Sequence, residues 1–284
     1  MAKNKGYYKE AGLDVDIIEP GDNATTSMVA AGKADFGVSY QEDVTYALTS
    51  EDPLPIKTIA TIIQHNTSGF VSLKSANINS VKDFEGKTYA GWGAPSEEAV
   101  IKAVMNEAGA DFSKLNIVGS DGSGIAGLSD EVGKNKVNLG WEFYGWAIIK
   151  ALQDGYDLNY MPLADLDSRL DYYTPVIITN NKMIKKNSNI IQKFMEATKK
   201  GYEYAIDHPS KAAEILHDDA LTDTDLKFLK ESQKYLSSQY AKDADSWGVM
   251  KDSVWDNYTD FMYETGLISQ KIDAKDQYTN EFVK

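Results

Sequence analysis

Short apolar runs rich in β-branched residues alternate along this chain with longer stretches whose apolar residues recur at the helical period. Short runs bounded by turn residues are typical of strands, and the longer stretches are typical of helices. The predicted strands are residues 15–18, 36–39, 56–63, 69–73, 88–91, 115–118, 137–141 and 175–179. Strands that alternate with helices in this way predict an α/β fold.

The second half of the chain carries the longest helical patterns. Between residues 189 and 207, apolar side chains recur near the helical period, which predicts an amphipathic helix with one buried face. Two further amphipathic runs, around residues 226–236 and 247–262, predict a helical tail.

Two extended stretches, residues 69–73 and 173–179, are candidates for crossings between two lobes. These crossings would assign residues 1–74 and 175–284 to lobe 1 and residues 75–174 to lobe 2. A length of 284 residues agrees with two lobes, since typical domains have about 100–200 residues. Ligands of open α/β sheets bind beyond the carboxyl ends of strands, which here predicts a ligand cleft between the lobes.

Composition narrows the function classes. The formal net charge is −14, and phosphate neutralisation needs a basic face, so nucleic acid is not an expected partner. No apolar run reaches the roughly 18 residues of a membrane span. The chain has no cysteine, which excludes disulfides, thiolate catalysis and cysteine-ligated zinc. His65, His208 and His217 show no metal-ligand spacing, so neither a metal nor a cofactor is expected.

Three strand ends or crossings in the first 70 residues carry candidates for ligand contact. Asn23 follows the first predicted strand, where it can also serve as a helix cap. Tyr40 and Gln41 follow the strand 36–39, and an aromatic ring beside an amide suits a planar heterocycle. Asn66 and Thr67 offer uncharged donors and acceptors beside the first crossing.

A glycine-rich turn and a helix start follow the strand 88–91. This segment, residues 91–98, reads GWGAPSEE, and its proline is at or near the first helical position. Free backbone N–H groups there can hold an anion or a polar ligand group, so Ser96 and Glu97 are candidate ligand contacts. Glu97 and Glu98 oppose a phosphate by charge, which favours a neutral or amine-bearing ligand. Alternatively, the two acidic residues only complement the helix dipole.

The richest strand end is residues 140–146, GWEFYGW. Trp141, Tyr144 and Trp146 can stack on a ring, and Glu142 can accept a hydrogen bond from an exocyclic amine. Aromatic residues at this density can also be core. A carboxylate buried among them would then need a partner, which an aminopyrimidine supplies.

The stretch KGYYKEAGLDVDI at residues 5–17 resembles the start of the solute-binding proteins of bacterial ABC importers, in the family that captures pyrimidine precursors of thiamine. Similar segments recur in the family's order across nearly the whole chain. They are residues 34–41, 83–88, 91–98, 141–146 and 236–255.

This resemblance implies a two-lobed type II periplasmic-binding-protein fold with the ligand cleft between the lobes. The implied function is capture of hydroxymethyl- or formylaminomethyl-aminopyrimidine for an ABC transporter permease, without catalysis. A monomer in the periplasm, or held at the cell surface as a lipoprotein, is the implied form.

Two departures from the family pattern stand out. Ala147 occupies a position where family members often carry an acidic residue, so either Glu142 takes over that role or this protein binds a different heterocycle. The chain also opens within a predicted helix, and no counterpart of the family's first strand and its tryptophan-containing loop precedes Met1. We therefore expect an upstream segment to be missing, along with the signal peptide, unless a swapped partner supplies the strand.

Other function classes stay open. Riboflavin or a taurine-like sulfonate is an alternative ligand. The sulfonate is disfavoured, because Arg169 is the one arginine of the chain that could pair with its negative charge. The resemblance extends to fungal enzymes that make the thiamine pyrimidine with a cysteine-rich iron motif, which this chain lacks. A sensory or adaptor module on the same fold is the third class.

Overall fold

The computed structural model describes residues 1–21, 24–133 and 136–283. The chain divides into two compact units. Unit 1 comprises residues 1–66, 172–263 and 268–284, and unit 2 comprises residues 67–171 and 264–267. The sequence-based boundaries were residues 74 and 174. The chain enters unit 2 earlier, because the strand Ser68–Leu73 pairs on both sides with strands of that unit.

The strands, in chain order, are β1 (Phe36–Ser39), β2 (Ile56–Thr61), β3 (Ser68–Leu73), β4 (Thr88–Gly91), β5 (Asn116–Gly119), β6 (Leu139–Phe143), β7 (Leu158–Pro162) and β8 (Val176–Asn180). The helices are α1 (Tyr7–Glu10), α2 (Thr25–Ala30), α3 (Gln41–Thr49), α4 (Pro95–Glu107), α5 (Ile149–Gln153), α6 (Leu163–Leu166), α7 (Asn181–Lys186), α8 (Ser188–Asp207), α9 (Pro209–Ala220), α10 (Leu226–Ser237), α11 (Asp252–Glu264) and α12 (Ala274–Gln277). No helix in the described ranges is both long and apolar enough to span a membrane.

Seven of the eight predicted strands are confirmed, with shifts of one or two residues at most ends. The predicted strand at residues 15–18 is wrong: this segment is irregular, and Ile17 and Ile18 are 75% and 59% exposed. A strand forms only where its backbone groups pair with a neighbour. Residues 15–18 pair with no strand within the described part of the chain.

The sheet of unit 1 has the order β1-β8-β2, with β8 antiparallel to both neighbours. Every residue of β8 is buried, as expected for a central strand. Helix α8 confirms the predicted amphipathic helix, and its buried face includes Ile191 and Met195. In the same core, the ring of Trp247 stacks on Tyr202 at 4.3 Å, and its Nε1 donates to the carbonyl oxygen of Ile62 at 3.2 Å.

The sheet of unit 2 has the order β5-β4-β6-β3-β7. Strands β5 and β6 both run parallel to β4, whereas β3 is antiparallel to β6 and β7. The carboxyl ends of β4, β5 and β6 therefore meet at one edge of the sheet, which we call the carboxyl edge of unit 2. The segments that leave this edge begin at Trp92, Ser120 and Tyr144.

Candidate functional site

Three segments with polar or aromatic side chains meet at the carboxyl edge of unit 2. Turn residues 92–94 follow β4 and lead into α4, while the loop from Ser120 follows β5 and leads to a short 3₁₀ helix, Gly124–Gly127. A single π-helical turn, Tyr144–Ile148, follows β6 directly. Such π turns are frequent at functional sites. Parallel strands thus bring together two of the regions that the sequence analysis selected separately.

Trp141 and Trp92 form an aromatic corner at this edge. Trp141 lies opposite Phe70 in the β3–β6 register, with ring centroids 5.8 Å apart. The ring of Trp92 meets that of Trp141 at 5.2 Å and 61°, yet Trp92 is 59% exposed. Trp92 was not among the predicted ligand contacts. Its signal in the sequence is a tryptophan placed directly after a strand and before a glycine.

Glu142 leaves β6 on the opposite face from Trp141, because successive strand residues alternate in direction. It lies across from Gly69, and its Oε1 is 3.7 Å from where a Cβ on Gly124 would be. The side chain is half-buried and makes no hydrogen bond or ion pair to any described residue. Burial raises the pKa of its carboxyl above the usual range. A ligand that contacts both Trp141 and Glu142 must therefore lie across the carboxyl edge.

Tyr144 and Trp146 differ in their surroundings. The ring of Tyr144 packs against Tyr160 at 5.3 Å in the apolar core of unit 2, next to residues such as Ile148. Its backbone N–H donates to the carbonyl oxygen of Thr67 at 2.9 Å, and the Tyr160 hydroxyl donates to the same oxygen at 2.8 Å. Trp146 is 49% exposed. Of these two predicted contacts, Trp146 is therefore the more accessible.

Glu97 is 2% exposed and lies in the first turn of α4, directly after the turn that carries Trp92. Its Oε1 accepts from the Tyr89 hydroxyl at 2.5 Å and from the Trp92 N–H at 3.2 Å, while its Oε2 accepts from the Gly93 N–H at 2.8 Å. Burial first, and then the bond to Glu97, raise the pKa of Tyr89 far above its ordinary value. The predicted candidate Ser96 is half-buried beside this network.

In unit 1, the predicted ligand contacts Tyr40 and Gln41 differ in exposure and in hydrogen bonding. Tyr40 is 46% exposed, and burial of its hydroxyl, followed by the charges of Asp43 and Glu42, raises its pKa. Gln41 is completely buried: its Oε1 accepts from the Tyr173 N–H at 2.8 Å, and its Nε2 donates to the Val254 carbonyl at 3.3 Å. Both the oxygen and the nitrogen of the Gln41 amide are therefore hydrogen-bonded to backbone groups.

Glu42 in unit 1 was not predicted as a site residue from the sequence, yet it has a carboxyl oxygen unpartnered within the described chain and a raised pKa. Its Oε2 is buried and has no hydrogen-bond partner among the described residues. Nearby, the rings of Tyr172 and Tyr258 stack at 4.0 Å. Burial, reinforced by the charge of Asp43, raises the pKa of Glu42 to about 7, although a bond to its own backbone opposes the shift. Glu42 is therefore about half ionised near pH 7.

Three predicted ligand contacts, Asn23, Asn66 and Thr67, remain. Asn23 lies outside the described residues. Asn66 and Thr67 are 4% and 8% exposed. In the described part of the chain, no three His, Cys, Asp or Glu side chains are grouped so as to hold a metal ion.

Residues 1–212 match the family model described as NMT1/THI5 like. This chain belongs to the NMT1/THI5-like family. One relative is the formylaminopyrimidine-binding protein of Halalkalibacterium halodurans, 25% identical over 99% of this chain and 84% of the relative. The riboflavin-binding protein RibY of Chloroflexus aurantiacus is 24% identical over 100% of this chain and 81% of that protein.

The NMT1/THI5-like relatives also include an enzyme. The 4-amino-5-hydroxymethyl-2-methylpyrimidine phosphate synthase THI13 of Saccharomyces cerevisiae is 26% identical over 100% of this chain and 82% of its own length. Among solved structures, the alkanesulfonate-binding protein SsuA of Xanthomonas axonopodis pv. citri has a TM-score of 0.71 at 10% identity, covering 98% of this chain and 92% of that one. The chain therefore has the periplasmic-binding-protein fold, as the sequence predicted.

Proposed function

We propose that this chain is the extracytoplasmic solute-binding component of an ABC importer and that it captures a small aminopyrimidine. The observation that carries the proposal is Glu142, a half-buried carboxyl with no partner in the described chain, at the carboxyl edge of unit 2. A carboxylate withdrawn from water needs compensating donors. The ring N–H and exocyclic amine of an aminopyrimidine would supply them.

The aromatic side chains around this carboxyl support a planar ligand. Trp92 and Trp146 are both about half exposed, and they follow the two strands β4 and β6 that meet at the carboxyl edge. Ring stacking adds about 0.5–1.5 kcal/mol beyond the burial of apolar area. A ring that stacks on one of these tryptophans and donates to Glu142 would lie across the edge.

Family relationship adds a second line of support. The formylaminopyrimidine-binding protein is similar to this chain over almost its whole length, which favours hydroxymethyl- or formylaminomethyl-aminopyrimidine as the ligand. We propose that the chain works as a monomer and hands this ligand to a permease. Riboflavin is the alternative favoured by RibY, and pyrimidine synthesis is the alternative favoured by the synthase.

The ligand class can be tested by titration. We expect hydroxymethyl-aminopyrimidine to quench tryptophan fluorescence and to raise the melting temperature, because a ligand that binds only the folded state stabilises it. Trp92→Leu should lose a large part of the quenching. Taurine and riboflavin are the comparison ligands. A clear response to either one, with none to the pyrimidine, would contradict the proposal.

A further inference from the structure

The turn between β4 and α4 has the geometry of an anion site. Backbone N–H groups of consecutive residues that converge on one point form a concavity that binds anions, and a helix amino end strengthens it. The N–H groups of Trp92 and Gly93 converge in this way, and Gly93 adopts a left-handed φ of +80° that favours glycine. Helix α4, with 13 residues, begins two residues later at Pro95.

The chain fills this concavity itself. One carboxylate, that of Glu97, accepts from both N–H groups and from the Tyr89 hydroxyl. Space around it is tight: a Cβ added to Gly91 would lie 2.0 Å from Glu97 Oε1, so any larger residue there would have to displace the carboxylate. The neighbouring acid Glu98 is exposed. Glu97 thus saturates the donors of the turn, and Glu98 does not take part.

We propose that Glu97 determines the charge of the ligand: as an internal anion it occupies the donors of the Trp92–Gly93 turn, so that the site admits an uncharged or cationic ring and rejects sulfonates and phosphates. This inference rests on the proposed function, since it concerns the same carboxyl edge. An external anion would have to displace a buried carboxylate or bind beside one, and like charges in a desolvated site repel strongly.

Glu97 is also a positioning residue for the aromatic corner. Its bonds to the backbone of residues 92 and 93 fix the turn from which the Trp92 ring reaches Trp141. The same carboxylate therefore fills the anion site and orients a ring that can stack on the ligand.

The test compares Glu97→Ala with Glu98→Ala, which removes the same charge one residue away but leaves the concavity filled. Calorimetric titration with sodium sulfate at constant ionic strength measures anion binding, and near-ultraviolet circular dichroism reports the Trp92–Trp141 pair. We expect Glu97→Ala to bind sulfate at least about tenfold more tightly than Glu98→Ala or the wild type, a difference of about 1.4 kcal/mol. Its tryptophan signal should also change.

If Glu97→Ala does not fold, Glu97→Gln serves in its place. A glutamine oxygen can replace only one of the two acceptors, so sulfate should again bind more tightly than in Glu98→Gln. A carboxylate that merely caps α4 would, when removed, lower the melting temperature without any gain in sulfate affinity. That result, or an unchanged tryptophan signal, would overturn the inference.

These readouts need no organic ligand. A wild type that fails to bind hydroxymethyl-aminopyrimidine would contradict the proposed function. A gain in sulfate binding by the Glu97 variant would still support the role of Glu97 as an internal anion.

Discussion

Glu142→Gln is expected to weaken the binding of hydroxymethyl-aminopyrimidine by roughly 1.5–3 kcal/mol, the range for hydrogen bonds to a charged group. Glutamine keeps the shape of the side chain but removes the charge, and it presents an N–H₂ group to the donors of the ligand. The variant should fold as the wild type does, because Glu142 makes no hydrogen bond or ion pair within the described residues. Calorimetric titration measures the loss of affinity.

Glu98→Gln is the matched control for this variant. Glu98 is an exposed acid in the first turn of α4, so its neutralisation changes the net charge equally without touching Glu142. Its affinity for the pyrimidine should stay within about twofold of the wild type, as expected for an exposed charge worth only a few tenths of a kcal/mol. Equal affinity in Glu142→Gln and the wild type would assign Glu142 to a role other than ligand contact.

How far the sequence could predict the fold is clearest from two strands. The strand 36–39 was predicted with its observed bounds because a short run with Phe36 and Val38 follows Asp35 and precedes the polar residues 41–43. Strand β7 was missed, since Asn159 and Pro162 are poor strand formers. Both are tolerated because β7 is at the edge of its sheet and, among the described strands, pairs with β3 alone. Edge position is a property of the sheet and is not visible in a local pattern.

The candidate site shows the same limit. Residues 140–146 were selected for their aromatic rings and carboxylate, without using the strand alternation that directs Trp141 and Glu142 to opposite faces of β6. The sequence also could not reveal which acids turn inward. Glu97 and Glu98 are adjacent in the first turn of α4, yet Glu97 is buried and Glu98 is exposed. Glu42 lies near Tyr172 and Tyr258, which are far away along the chain.

Glu42 also makes the stability of the fold depend on pH. Its pKa rises from 4.5 to about 7 in the folded state, so the folded protein binds more protons than the unfolded chain between those values. Stability contributed by the neutral carboxyl is fully present below pH 4.5 and is lost as the pH rises towards 7. Each tenfold change in proton affinity is worth about 1.4 kcal/mol, so the total loss is about 3 kcal/mol.

Glu42→Gln should remove this loss, because glutamine fills a similar volume and does not ionise. At pH 8 the variant should therefore be more stable than the wild type by up to about 3 kcal/mol, whereas near pH 4.5 the two should be nearly equal. Urea unfolding at both pH values measures the difference. Glu51→Gln, which neutralises an exposed acid just after α3, is the control and should show no such pH-dependent gain.

The groups that face Glu42 determine the sign of this effect. Asp43 repels the ionised carboxyl, and the half-buried Tyr46 and the buried Tyr172 and Tyr258 bring no positive charge to it. Among the described residues no cation lies close enough to offset the ionised Glu42, and the bond to its own backbone offsets its burial only in part, so the free energy of unfolding should fall. A Glu42→Gln variant that is less stable than the wild type at pH 8 would show instead that the ionised carboxylate gains a partner in the folded protein.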